Sequence, residues 1–205
     1  EDVGFRAAAI RNKGIKELSS TINYVVIIDG DMILHNNFIA DHIRIAEKNF
    51  FIQGGRALLT KDKTIKVLSH CDLRHNFHFF SQGLSNRKNT LYLPLLTKLF
   101  EKPSQKLQGI RTCNMSFWKD DLYDVNGFNE NFIGWGREDT ELAVRLFNKG
   151  KYRKNIKFSG LAFHLYHDEK SRSHISVNDQ HLFQSKSSES YWCDNGLIKS
   201  NNNES

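Results

Sequence analysis

The stretch Asn23-Tyr24-Val25-Val26-Ile27-Ile28-Asp29-Gly30-Asp31 decides the fold. It opens with a short, continuous run of β-branched and aromatic residues, the pattern of a strand buried on both faces. Two carboxylates, Asp29 and Asp31, follow at the strand's carboxyl end. Upstream, residues 3–19 set Phe5, Ala8, Ala9, Ile15 and Leu18 near helical spacing, and the small Ala7-Ala8-Ala9 run allows close packing on a sheet. Downstream, residues 37–48 predict a second helix and 50–59 a second strand, with Gly54-Gly55 marking a bend or a close backbone approach. This alternation predicts an α/β fold with a mainly parallel sheet flanked by helices, in which ligands gather at the carboxyl ends of the strands.

Residues 70–108 are polar and aromatic, with a short helix expected near 73–82 and a long loop, the mark of an insertion. Residues 112–118 read as a strand, 139–148 as an amphipathic helix ended by Gly150, and 158–166 as a last strand. Beyond them serine and asparagine dominate. The chain therefore divides into one domain, 1–185, and a polar tail, 186–205, expected to be disordered.

With 205 residues, 39% hydrophobic and 12% aromatic, there is apolar material for one substantial core. No run approaches the roughly 18 consecutive apolar residues of a membrane span, and no signal-peptide pattern opens the sequence, so a soluble chain is expected. A net charge of +6 draws phosphates, anionic glycans, acidic lipid headgroups or nucleic acid. It is compatible with peripheral association at the inner face of the cell membrane. The densest basic cluster, Lys149, Lys151, Arg153, Lys154 and Lys157, reads as a solvated face. No aromatic-and-basic signature of RNA binding accompanies it, so nucleic acid is not an expected partner. Cys71, Cys113 and Cys193 are odd in number and far apart, which supports neither a disulfide framework nor a zinc knuckle and fits a reducing, cytoplasmic setting.

Three places carry chemistry. Asp29-Gly30-Asp31 is either a turn with solvated acids or, because a strand delivers it to the ligand-binding edge, a set of hard oxygen ligands for Mg²⁺ or Mn²⁺ on a diphosphate. Residues 127–139, with Gly134-Trp135-Gly136-Arg137-Glu138-Asp139 at their end, read as a mobile loop with an exposed ring running into a helix. Glu138 and Asp139 in that helix's first turn are also ordinary capping acids, favoured by the helix dipole by about 0.3–1 kcal/mol. Phe163-His164-Leu165-Tyr166-His167 ends a strand with two histidines, either of which could complete a site with a carboxylate and favour Mn²⁺. Three residues apart on an extended strand, they are expected to point to opposite faces, leaving one ligand, His164 ahead of His167.

Taken together, Arg6-Ala7-Ala8-Ala9-Ile10-Arg11-Asn12-Lys13-Gly14-Ile15, Asp29-Gly30-Asp31, Asn114-Met115-Ser116-Phe117, the 127–139 stretch and His164 resemble family 2 and galactosyltransferase-like GT-A glycosyltransferases, in order and spacing, across about residues 1–170. The resemblance implies a GT-A (Rossmann-like) domain, a nucleotide-sugar donor, usually UDP-linked, a glycan acceptor and inversion at the anomeric carbon. It makes Asp31 and His164 ligands of a divalent metal, with Asp29 nearer the ribose, and Arg11 and Asn12 part of the nucleotide pocket. Trp135 matches the loop tryptophan that meets donor and acceptor, Glu138 an acceptor-orienting acid, and Asp139 the catalytic base, expected to stay ionised at a helix N-terminus. Arg137 and Thr140 depart from the galactosyltransferase pattern, which leaves donor and acceptor choice open. The resemblance also begins with strands upstream of Glu1, so the fold's N-terminal strands are expected to be missing from this sequence. Two alternatives remain: a metal-dependent nuclease or phosphotransferase, which leaves Gly134-Trp135-Gly136 unexplained, and a non-catalytic glycan-binding descendant, which leaves Asp31 and Asp139 unexplained.

Overall fold

A computed structural model describes residues 4–69, 77–168 and 173–199. Helix α1 spans Ala7–Lys16 and strand β1 Tyr24–Ile28; Asp29-Gly30-Asp31 then carries the chain to β2, Met32–Leu34, and α2, Phe38–Ile45. Next come β3 (Phe50–Gln53), β4 (Ala57–Leu59), α3 (Lys61–Ser69) and β5 (Leu84–Ser85). Two 3-10 segments, Arg87–Thr90 and Pro94–Phe100, precede β6, Asn114–Trp118. The remainder is α4 (Lys119–Asp124), α5 (Glu138–Asn148), β7 (Tyr152–Asn155), β8 (Ala162–His164) and α6 (Ile175–Ser188).

The fold is α/β, with helices flanking sheets, but the sheets are mixed where a mainly parallel one was expected. Their strand orders are β1-β6-β3-β7 and β2-β8-β4-β5. Among the described residues only β3 with β7 and β4 with β8 run parallel. β6 lies antiparallel between β1 and β3. Alternation of helix and strand cannot reveal that insertion, because β6 arrives from far down the chain. β1 stands at the end of its sheet, so Tyr24 to Val26 are half-buried and Ile28 is exposed, in place of burial on both faces.

Residues 50–59, expected as one strand, are two strands in different sheets. The break falls at Gly54, where a Cβ would lie 2.2 Å from Asn114 Oδ1, so the backbone passes where only glycine fits. Of the helix expected near 73–82, residues 73–76 lie outside the described residues and 77–82 are not helical. The helix of this region is α3, upstream, with Thr64 and Val67 turned inward. The last strand shrinks from 158–166 to β8 alone.

On the first sheet, Ala8 and Ile15 of α1, Phe51, Met115 and Phe117 of the strands, Leu122 of α4, and Leu142 and Leu146 of α5 form one cluster. Burying each large apolar side chain contributes about 1.5–3 kcal/mol, and this cluster fixes α1 and α5 against one another. The second sheet has its own core around Ile33, Leu59, Val67 and Phe163. The segment expected as a loose polar tail joins the first cluster: Leu197 packs into it, Cys193 is buried, and Asn126 Nδ2 donates to Cys193 O at 2.7 Å and Ile198 O at 2.8 Å. Its last residues, 200–205, lie outside the described ones, as does Cys71. Arg153 and Lys154, expected on a solvated face, are buried on β7, Arg153 donating to Gln108 O at 2.9 Å and Lys154 pairing with Glu47. Among the described residues no helix is long and apolar enough to cross a membrane.

Candidate active site

The chain passes from the first sheet to the second at Asp29-Gly30-Asp31, at Gly54-Gly55-Arg56, and between β7 and β8. These crossings gather polar residues at the seam. Met32 pairs with His164 and the Leu165 amide donates to Asp31 O at 2.9 Å, so Asp31 sits beside the end of β8.

Asp31 Oδ2 lies 3.3 Å from His164 Nε2 and 3.2 Å from His167 Nε2. One ligand atom from each of the three residues falls within 4.8 Å of the others. The expectation that only one histidine faces the carboxylate therefore fails. β8 ends at His164, the strand's alternation lapses there, and the irregular segment that follows brings His167 back. Asp31 Oδ1 is buried without a hydrogen-bond partner, which is costly unless a ligand satisfies it. Burial, and after it the Arg56 charge, push the His164 pKa down and favour the neutral imidazole that can bind a cation.

Across the seam, Glu138 opens α5 and accepts from Arg11 Nη1 at 2.8 Å, while Arg11 Nη2 donates to Asp29 Oδ1 at 3.1 Å. Arg11 thus ties the two acidic motifs together. Burial lowers its pKa, but Glu138 and Asp29 outweigh that and hold it above its ordinary value. Asp139 is half-buried, and its Oδ1 accepts from the Thr140 amide at 2.6 Å. Loss of solvation, then the Glu138 carboxylate, push its pKa up to about 6. A carboxyl so placed is still mainly ionised at neutral pH, and is a far better proton acceptor than an ordinary aspartate.

The loop before α5 is held by α6. Asn178 Nδ2 donates to Ile133 O at 3.0 Å and Gly136 O at 2.9 Å. Arg137 adopts φ +81°, a strained conformation for a long side chain, and its Nε meets Asp179 Oδ1 at 2.5 Å. Trp135, in between, is 41% exposed.

Asp29, Asp31, Arg11, Trp135, Glu138, Asp139, His164 and His167 all line one open cleft of about 2420 Å³. Asn12 does not belong there. It is 1% exposed, and clamps α1 to the loop by donating to Phe128 O at 2.7 Å and accepting from Phe128 N at 2.8 Å. Helical periodicity turns it about 100° away from its neighbour Arg11, which is why the adjacent residues divide between core and cleft. Sequence reasoning missed Arg56, which also lines the cleft and whose only signal was the Gly-Gly break before it.

The mixed α/β fold, with helices flanking sheets, is consistent with a GT-A, Rossmann-like domain, and comparison with known proteins supports glycosyl transfer. The family model described as N-terminal domain of galactosyltransferase matches residues 98–168, which include Trp135, Glu138, Asp139 and both cleft histidines. Chondroitin synthase of Escherichia coli is 25% identical over 185 residues, covering 80% of this chain and 25% of the relative. Chondroitin synthase of Pasteurella multocida (strain Pm70) is 24% identical over 181 residues, covering 80% of this chain and 18% of the relative. The chain spans a quarter or less of the length of these relatives. The matches support a glycosyltransferase; they do not single out family 2.

Proposed function

We propose that this domain moves a sugar from a UDP-linked donor to a hydroxyl of a glycan acceptor, with inversion at the anomeric carbon. One observation supports the reading above others: the Asp31–His164–His167 cluster and the Glu138–Asp139 pair line the same cleft. Asp31, His164 and His167 would hold Mn²⁺ or Mg²⁺; the orphaned Asp31 Oδ1 and a donor set with two imidazoles fit such an ion and favour Mn²⁺. A cation there supplies positive charge to the diphosphate leaving group.

The chain's own groups do the rest. Arg11 and Asp29 bound the donor side of the cleft, and Trp135 offers a ring face to a sugar. Glu138, anchored through Oε1 to Arg11, has Oε2 for an acceptor hydroxyl. Asp139 takes the proton from that hydroxyl, the oxygen bonds to the anomeric carbon, and the sugar–diphosphate bond breaks with its electron pair leaving on the nucleoside diphosphate. The relatives' name makes chondroitin fragments the first acceptors to assay, and the charge of +6 suits both an anionic glycan and an anionic membrane face.

The test is a screen of UDP- and GDP-sugars with the full-length protein, read as acceptor-dependent nucleotide release with and without Mn²⁺. A UDP-sugar turned over only with cation is the expected result. Cleavage of DNA or RNA without sugar transfer would overturn the proposal.

A further inference from the structure

We infer that Arg56 is a diphosphate-binding residue of the cleft, acting beside the Asp31–His164–His167 cluster but not through it; this rests on the donor reading above. Arg56 ends the Gly54-Gly55-Arg56 crossing, next to the crossing that carries Asp29 and Asp31. In the following strand, Leu58 pairs with His164. Arg56 immediately precedes β4, and it lines the cleft together with Leu58 and His164.

The turn is built to hold this residue. Asn89 Nδ2 donates to Arg56 O at 2.7 Å, and Asn114 Nδ2 donates to Gly55 O at 2.8 Å. Asn114 is fully buried and is itself fixed by His42 Nε2 at 2.9 Å from its Oδ1. Yet, beyond a side-chain hydrogen bond with the Cys113 thiol, the guanidinium so positioned has no acid to pair with among the described residues. Arg56 Nε is buried without a hydrogen-bond partner, and among the described residues no carboxylate lies within 4.0 Å of its guanidinium nitrogens. Arg11, Arg44, Arg137 and Arg145, by contrast, each pair with an acid.

A planar fork of donors with an unused buried N–H, facing a cleft, matches two oxygens of one anion. The anion that the proposed donor brings here is its diphosphate, to which a cation held by Asp31, His164 and His167 would supply positive charge. β8 lies between β2, which follows Asp31, and β4, which follows Arg56, so Arg56 and Asp31 flank His164 from neighbouring strands.

The experiment titrates the full-length protein with UDP in Mn²⁺, with UDP and pyrophosphate in EDTA, and with Mn²⁺ alone, followed by Mn²⁺ electron paramagnetic resonance. Wild type should retain UDP and pyrophosphate binding without cation. Arg56→Gln should weaken both by about tenfold or more, the worth of a hydrogen bond to a charged group, while Mn²⁺ affinity and melting temperature stay at wild-type values. Arg56→Lys, which keeps the charge and loses the fork, should fall between them. Unchanged UDP affinity in Arg56→Gln overturns the inference and leaves the donor reading standing. A parallel loss of Mn²⁺ affinity overturns it in favour of a structural role, as does loss of UDP binding with pyrophosphate unaffected. A wild-type protein that binds neither UDP nor pyrophosphate under any condition overturns the inference and the donor reading together.

Discussion

If Asp139 is the base, the rate must fall when it is protonated, and its surroundings fix where that happens. Its pKa stands at about 6 against 3.8 for an ordinary aspartate, raised by burial first and Glu138 second, and held from rising further by the Thr140 amide and Arg11. Such a carboxyl is about nine-tenths ionised at pH 7 and about one-tenth at pH 5, so kcat/KM at saturating Mn²⁺ should drop about tenfold between them. Two substitutions should move this acid limb in opposite directions. Glu138→Gln removes a repelling charge and shifts it to lower pH; Arg11→Gln removes an attracting charge and shifts it to higher pH. Stability carries the same signature. Because the folded-state pKa is raised, ionised Asp139 destabilises the fold above pH about 6, and the loss is recovered as pH falls from about 6 toward 4. Asp139→Asn should therefore melt higher than wild type at pH 7, by up to about 3 kcal/mol, with the difference vanishing near pH 4. An acid limb that ignores both neighbouring substitutions, together with no gain in melting at pH 7, would refute the assignment.

Further outcomes follow from the same geometry. Asp31→Ala should abolish Mn²⁺ binding, and His164→Ala or His167→Ala should each weaken it beyond the roughly 10–100-fold that loss of a mere supporting group produces; calorimetry reads both, and normal affinity in His167→Ala would return the site to one histidine. Glu141→Ala strands Arg145, which is buried and held by Glu141 Oε1 at 2.8 Å and Oε2 at 2.7 Å, so urea unfolding should show a loss of about 3–5 kcal/mol. Asn178→Ala frees the carbonyls of Ile133 and Gly136 and should cost about 1–3 kcal/mol. Because those carbonyls border Trp135, the acceptor KM should rise more than the donor KM, and steady-state kinetics with each substrate varied would show it.

The α/β class was legible because the run ending at Ile28 is unmistakably a strand and the helices around it are periodic. Strand pairing was not, since β1's partner β6 lies far along the chain and nothing local encodes that contact. The division of 50–59 showed only as Gly54-Gly55, a signal that gave the place of the break but not its consequence, a change of sheet. Cys193 and Leu197 were hidden because isolated apolar residues in a serine- and asparagine-rich segment leave no periodicity, although they pack beneath Asn126. At the site, residue types at strand and helix ends drew attention to Asp31, His164, Glu138 and Asp139, and the structure brings all four to one cleft. His167 was ranked behind His164 because the alternation rule was carried past the end of β8. Asn12 was misplaced because adjacency in sequence to Arg11 says nothing about which side of α1 it occupies.

Inverting transfer by a carboxylate base is the central claim, and the anomeric configuration of the first-formed product tests it most directly. Proton NMR of a reaction of the full-length protein with a UDP-α-sugar and a glycan acceptor should show a β-linked product. Asp139→Asn should form it at least about a hundredfold more slowly, the lower end of what a general base supplies, with donor affinity unchanged. An α-linked product, or an undiminished rate in Asp139→Asn, would contradict the account.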